Sequence, residues 1–297
     1  MLAIVSHDAG GAEILSSWVT RHNVEYSLVA DGPAKEIFKK KIGKIQTHSL
    51  EDAIKQSDWV LLGTSWQSNL EYEAIRLARL YKKKSVSFID HWANYSQRFI
   101  RQGNLLLPDE IWVCDEIAFS IAKRTFPSVQ IELKENPYFE SLKEELEALN
   151  RIKKNAAIRE HYILYVCTPI KGYAFHEYGN ENYLGYTEED AIRYFIKNMP
   201  ALKSKIKRII LRPHPSEENG KYNWVKKEFG DYVEIGGDKS LLEEISGAEI
   251  IVGCNSMAMV VGLIAGKRVI NGLPQGRISC SLPMLEIEHL HDLIRNK

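Results

Sequence analysis

An α/β chain in two halves is what the sequence predicts, on three observations. Short apolar runs that read as buried parallel strands alternate with segments whose apolar residues recur at helical spacing. The length, 297 residues, exceeds one average domain and falls short of three. Near residues 140–160 the alternation gives way to a charged amphipathic stretch that divides the chain. Composition sets the outer limits: 44% hydrophobic, 26% charged, 39 basic against 39 acidic residues. A formal charge of zero argues against a protein whose work is coating nucleic acid, and leaves room only for a local basic patch.

Residues 2–5 read as a first strand, with no basic lead or long apolar stretch before it, so no signal peptide is expected. No run approaches the roughly 18 apolar residues of a membrane span. The expectation is a cytoplasmic protein, with peripheral membrane contact left open. A small-residue loop follows, Ser6-His7-Asp8-Ala9-Gly10-Gly11-Ala12, then a helix over 13–21 with Ile14, Leu15, Trp18 and Val19 on one face. Its glycines are adjacent and fail the G-x-G-x-x-G spacing, so no dinucleotide is predicted. Strands at 26–30, 59–63, 85–89, 110–114 and 129–132 alternate with helices near 34–40, 69–81 and 117–125, which describes a doubly wound sheet.

The 140–160 stretch reads as a helical connector whose charges nearly cancel. A second α/β unit opens with a strand at 162–167 and a long Gly- and Tyr-rich loop at 168–186, a length that favours function. Helix 188–204, strand 209–211, helix 222–229, strand 232–235, helix 241–246, strand 250–252, helix 257–265 and strand 268–270 complete it, and 284–295 reads as a last helix. The expected domains are 1–138 and 161–283, joined by a connector at 139–160 and closed by a helix at 284–297. The four cysteines lie far apart with no C-x-x-C, which indicates reduced thiols and neither a zinc ribbon nor a disulfide framework.

Two stretches of the second half carry the strongest functional signal. Arg212-Pro213-His214-Pro215 follows one apolar strand, and Gly253-Cys254-Asn255-Ser256 follows another and opens the helix at Met257. Ligands of open α/β sheets bind at the carboxyl ends of strands. A guanidinium fork on one strand end and a helix N-terminus on a neighbouring one both suit a phosphate. In the first half, Asp8 with His7, or Asp90 with His91, stand at strand ends as candidate bases. The bland alternative is that His7 and Asp8 cap the helix behind them. Trp66, Trp92 and Tyr95 are candidate sugar-stacking aromatics or lids on the core. Arg98 and Arg101 are contacts for an acidic acceptor or a solvated face.

Two successive Rossmann-like domains facing a cleft, with the phosphate signals in the second, resemble the GT-B glycosyltransferases. Arg212-Pro213-His214-Pro215 is similar to the His-Pro motif of capsule and wall polymer transferases: polysialyltransferases, Kdo transferases and the glycerophosphotransferases of teichoic acid synthesis. Asn255-Ser256 before a small-residue helix resembles the Ser/Thr motif these families place on the donor phosphate. The likeness is firm over about 100 residues of the second half and extends to the first half in outline. It implies transfer of a sugar from a nucleotide-activated donor to a glycan acceptor in bacterial surface polysaccharide synthesis. A sugar-nucleotide epimerase or hydrolase on the same scaffold is the alternative, and a non-catalytic phosphate-ligand-binding subunit the third. On this reading Arg212, His214, Asn255, Ser256 and Met257 hold the donor phosphate, Asp8 or Asp90 acts as base beside His7 or His91, and Gly10, Gly11, Trp92 and Arg98 face the acceptor or sugar. The nucleotide sugar is a co-substrate; no cofactor, metal or nucleic acid is expected, and the oligomeric state is not legible. His289 and His291 show no metal-ligand spacing and read as different faces of the last helix.

Overall fold

The computed structural model describes residues 1–65, 68–155 and 160–295. Trp66 and part of the expected connector, 156–159, lie outside the described residues. Packing divides the chain into two compact units, Met1–Ser141 and Leu142–Lys297.

The first unit runs β1 (Leu2–Ser6), α1 (Ala9–His22), β2 (Tyr26–Ala30), α2 (Pro33–Ile42), α3 (Leu50–Gln56), β3 (Trp59–Leu62), α4 (Leu70–Leu80) and β4 (Lys84–Phe88). A short antiparallel pair, β5 (Ile100–Arg101) with β6 (Asn104–Leu105), precedes β7 (Glu110–Val113), α5 (Glu116–Thr125) and β8 (Gln130–Leu133). Helix α6 (Pro137–Asn155) crosses the division. The six main strands are all parallel in the order β2-β1-β3-β4-β7-β8. Ile4, Leu15, Leu28, Phe38, Leu61 and Phe88 fill one face of this sheet, all within 2% of full burial.

The second unit runs β9 (Ile163–Val166), α7 (Ile170–Tyr178), α8 (Glu188–Asn198), β10 (Ile209–Arg212), α9 (Asn223–Phe229), β11 (Val233–Ile235) and α10 (Leu241–Gly247). It closes with β12 (Ile250–Gly253), α11 (Met257–Ile264), β13 (Arg268–Asn271), β14 (Glu288–His289) and α12 (Leu290–Arg295). Its sheet, also parallel throughout, has the order β11-β10-β9-β12-β13-β14. Counted within the unit this is 3-2-1-4-5-6, the Rossmann order, and the first unit's 2-1-3-4-5-6 is its flavodoxin-like relative. Helix starts are set locally: Thr187 and Asp190 form a capping box on α8, Ser240 and Glu243 another on α10, and Asp115 caps α5.

Four expectations change. The glycine-rich loop is shorter than predicted, because α1 begins at Ala9 and takes Gly10 and Gly11 into its first turn. Glycine is a poor helix former, yet a close approach demands it here: a Cβ on Gly11 would lie 3.0 Å from the Cα of Gly63, and one on Gly63 would lie 3.2 Å from the Cα of Gly11. The predicted loop at 168–186 contains helix α7, whose Ile170 and Ala174 pack with Leu184 and Tyr186 in a satellite cluster. The tail is not one helix: Glu288–His289 adds a sixth parallel strand beside β13, so His289 belongs to a strand and only Leu290–Arg295 is helical. Finally, β10 and β12 are not neighbours. Strand β9 runs between them, and Arg212 and Gly253 both lie in register with Val166, one on each side.

Candidate functional site

In each unit the strand order reverses at one point, and several of the side chains singled out in the sequence collect there. In the second unit the reversal falls between β9 and β12, where connections depart to opposite sides and leave a crevice at the strand ends. A hollow of about 440 Å³ occupies it, lined by Thr168, Arg212, His214, Asn255, Ser256 and Met257 among others. The Arg212–Pro215 segment forms a ridge, because a second hollow of about 490 Å³ lies against the same four residues and runs toward Gly236 and Asp238.

Arg212 and His214 of this ridge are each held by a buried glutamate. Arg212 pairs through Nη1 with Glu244 Oε2 at 2.7 Å and with the Lys239 carbonyl at 2.9 Å. Glu244 is buried and also accepts the Gly237 N–H at 2.7 Å. The His214 backbone N–H donates to Glu217 Oε2 at 3.0 Å, and Glu217 Oε1 accepts from Tyr222 and Lys221 at 2.7 and 2.9 Å. The imidazole is fixed too: the Ser216 backbone N–H donates to His214 Nδ1 at 3.2 Å. An Nδ1 that accepts leaves the proton of a neutral ring on Nε2. Desolvation lowers the pKa of His214 below its ordinary value, Glu217 opposing, so the neutral ring with an Nε2–H donor is favoured.

Across the crevice, Asn255 adopts φ 58°, a left-handed conformation that Asn tolerates. Its Oδ1 accepts from the backbone N–H and the hydroxyl of Ser281, both at 2.9 Å, which fixes the turn before α11. Ser256 caps α11 by accepting the Ala258 N–H at 3.3 Å. The helix presents its positive end to the hollow, and Met257 lines the wall.

In the first unit the reversal falls between β1 and β3. The structure brings His7, Asp8, Gly10, Asp90 and Arg98 together there. Asp8 is the N-cap of α1 by position but makes no capping bond. Instead its Oδ1 lies 2.7 Å from His7 Nδ1. A carboxylate can only accept, so Nδ1 carries the proton and Nε2 is left with its lone pair. The His7 backbone N–H donates to Glu71 Oε1 at 2.7 Å. Glu71 stands in the first turn of α4, is only 3% exposed, and was not singled out in the sequence. Burial pushes its carboxyl up to about 7.

The remaining candidates are committed to the protein itself. Asp90 pairs with buried Arg98 at 2.6 Å, and Arg98 also donates to Thr64 at 2.5 Å. Arg98 is thus neither a solvated cation nor free for an acceptor. What approaches Gly10 is Asp90: a Cβ there would lie 1.8 Å from Asp90 Oδ2. Space beside the two glycines that the sequence assigned to a substrate is therefore taken by Asp90 and Gly63. His91 accepts the Ala93 N–H through Nδ1 at 3.2 Å, and desolvation lowers its pKa, Asp90 opposing. Trp92 is buried with its indole N–H on Asp115 at 2.8 Å. Tyr95 stacks on Phe126 as a lid on the core. Arg101 donates to the carbonyls of Ser65, Ser68, Gln97 and Ile100 and to Asn69 Oδ1, which makes it a loop brace.

The four cysteines are free, Cys167 and Cys254 buried. Among the described residues no helix is long and apolar enough to cross a membrane.

No family model matches the chain, and no curated protein matches it by sequence. Solved structures do match it in fold. The UDP-GlcNAc 2-epimerase of Methanocaldococcus jannaschii superposes with a TM-score of 0.66 at 12% identity, over 99% of this chain and 90% of that one. S. aureus MnaA, solved with UDP, gives 0.60 at 11% identity, over 99% and 86%. The Neisseria meningitidis UDP-GlcNAc 2-epimerase, bound to UDP-GlcNAc, gives 0.57 at 12% identity, over 91% and 81%. The chain therefore has the GT-B-like fold of two Rossmann-like domains.

Proposed function

We propose that the chain is an enzyme acting on a nucleotide-activated sugar, and specifically a glycosyltransferase of bacterial surface polysaccharide synthesis. One observation carries the reading: the open hollow at the β9–β12 reversal gathers a guanidinium, an Nε2–H donor and a helix N-terminus. Groups of this kind suit the diphosphate of such a sugar.

Transfer then runs as follows. A base takes the proton of the acceptor hydroxyl, and the first unit's candidate for that role is His7 Nε2, whose ring Asp8 holds. The acceptor oxygen bonds to the anomeric carbon as the bond from that carbon to the phosphate oxygen breaks. The nucleotide leaves with the electron pair, its charge met by Arg212, His214 and the N-terminus of α11. Asp90, already paired with Arg98, is the weaker candidate for base. The resemblance to the His-Pro motif of the capsule and wall polymer transferases supports a glycan acceptor.

A second reading, a sugar-nucleotide epimerase, is favoured by the names of the structural neighbours. An epimer formed from the nucleotide sugar with no acceptor present selects it. The binding site itself is tested by thermal shift with UDP, CDP, CMP and ADP on the wild type, His214→Ala and Ser256→Ala. Arg212→Ala is a poor probe, because it strands the buried Glu244 carboxylate. A stabilisation by one nucleotide that falls in both variants is expected, with His214→Ala weakening affinity by about tenfold, the worth of roughly one strong hydrogen bond. No shift with any nucleotide, or an equal shift in all three proteins, removes the donor site from this hollow.

A further inference from the structure

Glu71 is a buried acid for which the transfer just described has no use. It lies in the first turn of α4, under the turn from β1 to α1, and its Oε1 accepts the His7 backbone N–H at 2.7 Å. Its Oε2 is buried and has no hydrogen-bond partner among the described residues. Glu217 makes the same backbone bond to His214 in the second unit, but there the second oxygen is saturated by Lys221 and Tyr222. An ionised oxygen without donors in a desolvated place is costly, and a proton on it removes that cost. The charged groups facing Glu71 are Asp8 and His7 on the β1–α1 turn and Arg101 of β5. Asp8 repels the ionised carboxylate, while His7 favours it when charged.

We propose that Glu71 is a positioning residue of the His7–Asp8 pair: Oε1 fixes the His7 backbone at the end of β1, and buried Oε2 carries a proton that keeps the carboxyl neutral beside Asp8. This rests on the reading of His7 as the base, but its test does not use activity.

The test is Glu71→Gln in the full chain, which keeps an acceptor for the His7 N–H and cannot titrate. The folded-state pKa of Glu71 is raised from 4.5 to about 7. Its neutral form therefore supports the fold below the lower value, and that support is lost as pH rises to the upper one. Wild-type thermal stability should fall across this window relative to the variant, whose curve should be flatter. A carboxylate that stays ionised and only bonds the His7 N–H would leave the two curves parallel.

Parallel stability curves overturn the proposal. If the variant does not fold, the wild-type glutamate carboxyl carbons decide: one should titrate near 7, and none doing so also overturns it. A positive result here with no transferase activity would leave the buried Glu71 proton standing and remove only the reaction.

Discussion

The two units each hold a histidine just past a strand end by giving its backbone N–H to a buried glutamate, and they leave the two rings in opposite states. In the first unit His7 donates from Nδ1 to Asp8 and keeps a lone pair on Nε2. In the second, His214 accepts at Nδ1 from Ser216 and keeps a proton on Nε2. One ring is prepared to take a proton and the other to give a hydrogen bond. The surroundings differ in the same sense. The first reversal point is packed with protein, Asp90 on Gly10 and Gly63 on Gly11, whereas the second is open and lined with donors. The lesson is that a shared topology sets where a side chain can act. The partner of one ring nitrogen sets what it can do.

The comparison can be broken most severely at Arg98. If the first crevice is a packed structural site, Arg98→Ala leaves the Asp90 carboxylate without its cation and should cost about 3–5 kcal/mol, the usual penalty for breaking a buried pair. Denaturant unfolding reads this directly. A loss of only about 0–1 kcal/mol, the range of an exposed pair, would mean that Asp90 is free enough to rival His7 as base.

A pair of glycine substitutions sharpens the contrast between packed and open ground. Gly11→Ala drives a methyl toward backbone at 3.0 Å and should destabilise by about 1–3 kcal/mol despite the better helix former. Gly172→Ala, in exposed α7 with its nearest outside atom at 3.9 Å, should instead stabilise by about 0.5–1 kcal/mol. Thermal unfolding of the two variants should move in opposite directions; a shared sign would mean that the approach of α1 to the β3 loop is not tight. The smallest effect is expected at Ser256. Replacement by Ala should cost about 1 kcal/mol as a lost cap, and by Gly only a few tenths, measured by equilibrium unfolding. If both were silent, α11 would start without its cap and its end would be a weaker anion site.

Much of the fold was legible in the sequence because buried parallel strands announce themselves. Strand β2 falls on its predicted residues, and β1, β3, β4 and β7 within one residue at either end. Short elements with no apolar run were missed, among them α3 and the β5–β6 pair. Gly10 and Gly11 misled because glycine reads as loop, when a tertiary contact required it inside a helix. The motifs at Arg212 and Asn255 could be found because each follows an apolar strand, but their order across the sheet could not: β9 separates them, and it lies far earlier in the chain. Glu71 gave no signal. In Asn69-Leu70-Glu71-Tyr72-Glu73 it reads as an ordinary acidic first turn, and only the packing of α4 over β1 buries it. Arg98 and Arg101 were equally opaque, since a sequence does not say whether a guanidinium faces water or carbonyls.

The contact between Gly11 and Gly63 has a consequence for how this sequence can vary. The two positions are 52 residues apart in the numbering yet share one space, so a side chain on either presses on the backbone of the other. Enlarging either one meets a partner that has no side chain to shorten, so relief has to come from a backbone shift of a few tenths of an ångström. A larger residue at either position therefore reads out how far α1 can move from the turn after β3.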